Sequence, residues 1–105
     1  MIKILFVCHG NICRSTMAQF VFEDLARRAG REDEFVVDSA ATSREEIGNP
    51  PHHGTVNKLR EVGVPVGRHR ARQITRAEYG EWDHIVYMDE ENFWGLERIL
   101  HGDPD

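Results

Sequence analysis

The chain's most constraining feature is the junction between the apolar run Ile2-Lys3-Ile4-Leu5-Phe6-Val7 and the segment Cys8-His9-Gly10-Asn11-Ile12-Cys13-Arg14-Ser15. An apolar run of this length predicts a buried strand over 2–7. Gly10 and Asn11, which best tolerate left-handed backbone, predict a tight loop after it. Ser15 or Thr16 then opens an amphipathic helix that ends at Gly30. Such a strand–loop–helix junction turns loop N–H groups and a helix N-terminus toward one point, where an anion is favoured.

The spacing of Cys8 and Arg14 adds chemistry to that geometry. Phosphoryl transfer spreads charge over equatorial oxygens and depends mainly on positioning and fixed donors. The loop from His9 through Gly10, Asn11, Ile12 and Cys13 supplies amides, and the Arg14 guanidinium can grip two oxygens at once. The same positive surroundings favour a thiolate at Cys8. A thiolate behind a phosphate is an in-line nucleophile, and the Ser15 hydroxyl is placed to steady its charge.

Along the first helix, Met17, Val21 and Leu25 form one stripe and Ala18, Phe22, Leu25 and Ala29 an adjacent one, with Glu23/Arg27 and Asp24/Arg28 expected as ion pairs outside. Phe35 to Ala40 reads as a second strand, and the polar, Gly/Pro-rich residues 41–51 as a long loop of the kind that borders sites. A helix is expected from about Pro51 to Val62, with Val56, Leu59 and Val62 on one face and Gly63 as its stop. Thr75-Arg76-Ala77-Glu78 is a capping-box pattern for a short helix that breaks at Gly80. His84 to Met88 reads as a third strand. Asp89 then caps a helix over 90–100, with Phe93, Leu96, Ile99 and Leu100 inward and Gly102 beyond its end. Strands alternating with helices predict a parallel sheet with right-handed crossovers and ligands at the strands' C-terminal ends, where Cys8 falls.

At 105 residues the expectation is one domain spanning 1–105. Hydrophobic residues make up 40% and charged ones 30%, and no apolar run approaches the roughly 20 residues that span a bilayer. No membrane association is expected, and a cytoplasmic location is the default in the absence of a secretion-signal pattern. Two cysteines without such a signal argue for thiol chemistry over a disulfide framework, and no metal site or other cofactor is implied. A net charge of −5 disfavours nucleic acid as a partner. The local basic stretch Arg60, Arg68, His69, Arg70, Arg72 and Arg76 reads more readily as solvated surface than as a docking site.

The segment from Cys8 to Ser15, behind an N-terminal strand, resembles the phosphate loop of the low-molecular-weight protein tyrosine phosphatases. The likeness extends to Asp38-Ser39-Ala40-Ala41-Thr42-Ser43, to Gly67-Arg68-His69-Arg70-Ala71-Arg72 and to Met88-Asp89-Glu90-Glu91-Asn92. It implies an α/β, flavodoxin-like three-layer fold with strand order 2-1-3. It also implies hydrolysis of phosphotyrosine or another aryl phosphate, with inorganic phosphate or a similar oxyanion as a ligand. In that scheme Cys8 is the nucleophile, Arg14 binds the phosphoryl group and Ser15 stabilises the thiolate. Asn11, Ser39 and His69 hold the loop in shape. Cys13 resembles the family's second loop cysteine, either a reversible disulfide partner of Cys8 or a small filler beneath the loop.

Two departures accompany the likeness. Arg44-Glu45-Glu46 lacks the aromatic that many relatives place beside the substrate ring, so tyrosine preference is expected to be weaker or achieved elsewhere. The chain also ends at Asp105, before the family's fourth strand and general-acid loop, so Asp103 is not assigned that role. An exposed third-strand edge and self-association through it are expected. A related arsenate reductase is disfavoured because no cysteine follows Cys13. A phosphoarginine-specific relative carries threonine where this chain has Ile12. A non-catalytic oxyanion-binding fragment is the remaining alternative.

Overall fold

A computed structural model describes residues 1–100 of the chain. Three strands, β1 (Ile2–Cys8), β2 (Phe35–Ala41) and β3 (His84–Tyr87), form a parallel sheet in the order β2-β1-β3. Three helices flank it, α1 (Arg14–Arg28), α2 (His53–Glu61) and α3 (Glu90–Leu100), with 3-10 turns at Glu32–Glu34 and Arg76–Glu81. This is the strand order that the sequence implied. Gly102, expected beyond the end of the last helix, and Asp103 lie outside the described residues.

Register divides the chain between two layers, because paired residues of parallel strands share a face. Leu5 pairs with Asp38 and Ile85, and Val7 with Ala40 and Tyr87. On their side a core of Leu5, Val7, Ala40, Ile74 and Leu96 forms, with Trp82, Ile85, Ile99 and Leu100 packed against it. Each such aliphatic side chain fully removed from water contributes about 1.5–3 kcal/mol. Phe6 and Cys8 belong to the alternate set, on the side of α1, where the Phe6 and Phe22 rings lie 6.0 Å apart and those of Phe22 and Phe35 5.0 Å. β1 runs one residue further than predicted. Cys8 is itself paired, with Ala41, so the sulfur is carried by a central strand.

The ends of α1 and α2 follow the sequence signals, whereas the turn over Arg76–Glu81 runs through Gly80, where a break was expected. Gly30 (φ 71°) and Gly63 (φ 80°) take the left-handed backbone that closes α1 and α2. In each, the following residue's N–H returns to the last turn, Arg31 to the Ala26 carbonyl and Val64 to the Leu59 carbonyl. Thr75 and Glu78 form the expected reciprocal capping box.

Helix faces depart from expectation. On α1 the buried residues are Ser15, Thr16, Gln19, Phe20, Asp24 and Ala26, whereas Leu25 is 60% exposed. The cause lies under the loop: Ser15 and Gln19 turn inward to bond Cys8 and Ser39, which fixes the helix's rotation. Arg27 and Arg28 both pair with Asp24, so Glu23 is not the partner of Arg27 that the spacing suggested. On α2, Leu59 and Thr55 are buried and Val62 is exposed beyond the helix end. On α3, Asn92, Gly95 and Leu96 are buried and Phe93 is partly exposed. A Cβ on Gly95 would lie 2.8 Å from the Thr42 Cβ, so the missing side chain lets α3 approach the end of β2 along this face.

Candidate active site

β1 delivers Cys8 to the C-terminal edge of the sheet, and the chain folds back over its sulfur before entering α1. Asn11 makes the turn with φ 60°, the left-handed region its side chain tolerates. Three groups then surround the Cys8 Sγ: the backbone N–H groups of Asn11 and Ser15, each at 3.4 Å, and the Ser15 hydroxyl at 3.0 Å. Ser15 does not cap the helix. α1 begins at Arg14, one residue before Ser15 and two before Thr16, the predicted starts, and the Thr16 hydroxyl donates to the Cys13 carbonyl.

Backbone chemistry fixes the direction of the network beneath the loop. The Arg72 N–H can only donate, and it reaches Asn11 Oδ1 at 3.3 Å, which sets the orientation of the Asn11 amide. Asn11 Nδ2 therefore donates to Ser15 Oγ at 2.8 Å, and the same oxygen accepts from the Cys8 thiol at 3.0 Å; once Cys8 is a thiolate, the Ser15 hydroxyl donates to the sulfur instead. His69 Nε2 lies 2.7 Å from Asn11 Oδ1, an acceptor, so Nε2 carries the hydrogen. The Ser39 hydroxyl donates to Gln19 Oε1 and accepts from the same His69 Nε2 at 3.3 Å. Asn11, Ser15 and Ser39 are fully buried, so each of these bonds replaces one to water.

Charges are arranged around this neutral relay. Burial pushes the His69 ring below its ordinary value; the nearby Asp38, 3.8 Å from Nδ1, opposes that and Arg72 adds to it. Asp38 and Glu78 share the Arg72 guanidinium, Glu78 through contacts of 2.9 Å to both terminal nitrogens. Burial works to raise the Glu78 carboxyl, but Arg72, Thr75 and Trp82 bring it down to about 2. At the loop's far end Arg14 Nη1 bonds Asp89 Oδ2 at 2.9 Å. That bond raises the guanidinium's value further, while the Asn92 N–H and then Arg14 hold the Asp89 carboxyl low.

The remaining sequence candidates ring the loop. His9 pairs with Glu45 at 2.9 Å on the exposed side. Gly10 sits under Glu46, whose Cγ would be 3.4 Å from an added Cβ. The Ile12 carbonyl accepts from the His52 N–H at 2.7 Å, and Thr55 Oγ1 donates to Cys13 Sγ at 3.3 Å, so the N-terminal turn of α2 braces the loop. Cys8 is buried and Cys13 exposed. The basic stretch divides: Arg60, Arg68, Arg70 and Arg76 are exposed, while His69 and Arg72 are drawn into the network, which corrects the reading of Arg72 as plain surface.

Sequence reasoning missed Gln19, Asp38, Thr55, Glu78 and the Arg14–Asp89 pair. Asp38 and Asp89 stood inside segments already singled out, but only the fold aims their carboxylates. Gln19, a polar residue amid the apolar positions of α1, was the one local signal of a buried partner.

Fold and site together define a class of α/β protein in which the first strand–loop–helix junction closes around a cysteine sulfur and ends on an arginine. A sequence profile described as "Low molecular weight phosphotyrosine protein phosphatase" matches residues 3–101, and the chain belongs to that family. The low molecular weight protein-tyrosine-phosphatase YfkJ of Bacillus subtilis is 46% identical over 99 residues, 94% of this chain and 64% of that protein. The Rattus norvegicus low molecular weight phosphotyrosine protein phosphatase is 45% identical over 96 residues, 91% of this chain and 60% of that one. The crystal structure of YfkJ superposes with a TM-score of 0.92 at 42% identity, covering 99% of this chain and 65% of that one. Wzb of Vibrio vulnificus, solved in complex with benzylphosphonate, gives 0.83 at 30% identity, covering 97% and 68%. The chain thus spans less than two thirds of the length of these curated relatives. Among the described residues no helix is long and apolar enough to cross a membrane.

Proposed function

We propose that this chain hydrolyses aryl phosphate monoesters, phosphotyrosine in particular, through a phosphocysteine at Cys8, and does so in the cytoplasm. The observation that carries this reading is the convergence of two N–H groups and one hydroxyl on the Cys8 sulfur. Those donors stabilise a thiolate and hold it rigidly at the base of the loop. The substrate's phosphoryl oxygens take the remaining loop amides of His9, Gly10, Ile12 and Cys13 and the helix's leading N–H groups, which have no carbonyl in a preceding turn. Arg14, steadied by Asp89, adds a planar grip. The family relationship and the benzylphosphonate bound to Wzb support an aryl substrate. Isoleucine at position 12 favours it over phosphoarginine.

In the reaction the sulfur attacks phosphorus in line, an S–P bond forms and the P–O bond to the aryl group breaks. Water then attacks phosphorus, the S–P bond breaks, and phosphate leaves with the thiolate restored. A proton must reach the departing oxygen, and Asp89 does not supply it, because its carboxyl is held low and ionised. Rates should therefore depend steeply on leaving-group pKa, with nitrophenyl phosphate turned over faster than phosphotyrosine. A flat dependence over a series of aryl phosphates would mean that a residue of this chain donates the proton.

Cys13 is the redox partner in this reading. Peroxide converts the Cys8 thiolate to a sulfenic acid, and the Cys13 thiol condenses with it to a disulfide, releasing water. Thiols reverse the step. Cys13→Ser should make peroxide inactivation irreversible; unchanged recovery on thiol addition would contradict this role.

The test of the function is Cys8→Ser, which should abolish turnover while preserving vanadate and phosphate binding. Arg14→Lys should be nearly as harmful and should weaken anion binding, because an ammonium cannot reproduce the planar fork. A Cys8→Ser chain with full activity would overturn the proposal.

A further inference from the structure

A cleft of about 530 Å³ lies beside the phosphate loop, lined by His9, Thr42, Ser43, Arg44, Glu91, Trp94 and Arg98. One wall follows the end of β2 and is bonded to the loop: the Thr42 N–H reaches the Cys8 carbonyl at 3.0 Å, and the Ser43 hydroxyl the His9 carbonyl at 2.9 Å. The other wall is a single stripe of α3, Glu91, Trp94 and Arg98, on the helix whose capping residue Asp89 holds Arg14. Gly95 sets the distance between the walls, since α3 touches Thr42 there.

We propose that this cleft is a specificity subsite for an acidic side chain flanking the phosphorylated residue of a peptide substrate. The proposal rests on the phosphatase reading above. Three observations point to it. Arg44 is a prepared donor: its Nε is anchored on Gln73 Oε1 at 3.1 Å, and Gln73 is anchored in turn on the Thr42 carbonyl at 3.0 Å, which fixes the arm behind the terminal nitrogens. Two arginines against the single Glu91 make the lining positive, and the His9 ring is engaged by Glu45, in a protein whose net charge is −5. Trp94 is 58% exposed and touches the Phe93 ring edge-on at 5.5 Å, a rigid aromatic wall for the peptide's own chain or ring. Trp94 thereby supplies, from α3, an aromatic surface that the sequence lacks at Arg44-Glu45-Glu46.

The experiment uses the Cys8→Ser chain and reads binding by tryptophan fluorescence and calorimetry. Its ligands are inorganic phosphate, a phosphotyrosine peptide with aspartate or glutamate on both sides, and the same peptide with those positions neutral. Partly exposed ion pairs of this kind should favour the acidic peptide by roughly fivefold. Arg44→Gln with Arg98→Gln should reduce the preference to nothing while leaving phosphate binding intact, and Trp94→Ala should weaken both peptides but not phosphate. Equal affinity for the two peptides, or a preference that survives in the double variant, overturns the subsite alone. Loss of phosphate binding by the Cys8→Ser chain overturns the reading beneath it as well.

Discussion

Asn11 gives the Cys8–Ser15 loop its polarity. Its oxygen receives the Arg72 N–H and His69, and its nitrogen donates to Ser15, whose hydroxyl lies 3.0 Å from the Cys8 sulfur and donates to it when Cys8 is a thiolate. Replacing Asn11 by aspartate preserves shape and backbone tolerance but turns that donor into an acceptor, which draws the serine hydrogen away from the sulfur. We expect Asn11→Asp and Ser15→Ala each to lower kcat by roughly 10- to 100-fold, the value of one hydrogen bond to a charged group. Because both act through one hydrogen, the double variant should cost little more than either alone; fully multiplicative losses would break the relay. His69 enters through stability. Its ring is held below its ordinary value of 6.5, so its contribution is complete above that pH and declines as pH falls toward the lower folded value. At this scale the sequence showed Cys8, Arg14, Ser15, Asn11, Ser39 and His69, because they cluster in recognisable segments. It did not show Gln19 or the Arg72 N–H, whose roles exist only once distant segments meet.

Among the elements, α3 links the site to the rest of the sheet. Asp89 and Asn92 cap it reciprocally: the Asn92 N–H donates to Asp89 Oδ1 at 3.0 Å, and Asn92 Oδ1 accepts from the Asp89 N–H at 3.2 Å and from the Met88 N–H at 3.0 Å. Gly95 then sets its depth. In an ordinary exposed helix Gly→Ala gains about 0.5–1 kcal/mol, but here the methyl would meet Thr42, and overpacking costs about 1–3 kcal/mol. Gly95→Ala should therefore lower the urea midpoint; a raised midpoint would show that α3 can move away without cost. Strands, helix ends and their order were legible, since Gly30, Gly63 and the Thr75–Glu78 box act within a few residues. The face of α1 was not legible from apolar spacing, whereas on α3 Leu96, Ile99 and Leu100 took the core side as expected and only Phe93 did not. Leu25 and Phe93 fit an amphipathic stripe, yet Ser15, Gln19 and Asn92 took the inward positions because their hydrogen bonds decide the rotation.

Across the whole molecule, the Arg72 cluster ties β2 to the 3-10 turn behind the network. Glu78 sits at about 2 against an ordinary carboxyl value of 4.5, so its contribution is present above pH 4.5 and is lost as pH falls toward 2. Acid titration of Glu78→Gln should show a shallower loss over that window than the parent. Beyond β1, the outer edge of β3 is unpaired among the described residues, and Val86 and Tyr87 are 40% and 46% exposed. Such an edge is a template for another strand. The 105-residue polypeptide should accordingly show mass rising with concentration in light scattering, suppressed by Val86→Lys. A concentration-independent monomer mass would contradict it. The central claim is that Cys8 carries the phosphoryl group, and rapid acid quench of the chain during turnover of nitrophenyl phosphate, followed by peptide mass spectrometry, tests it most directly. One phosphoryl group on Cys8, absent in Cys8→Ser, is the result this account predicts; turnover with Cys8 unmodified, or with the label on Cys13 or Ser15, would contradict it.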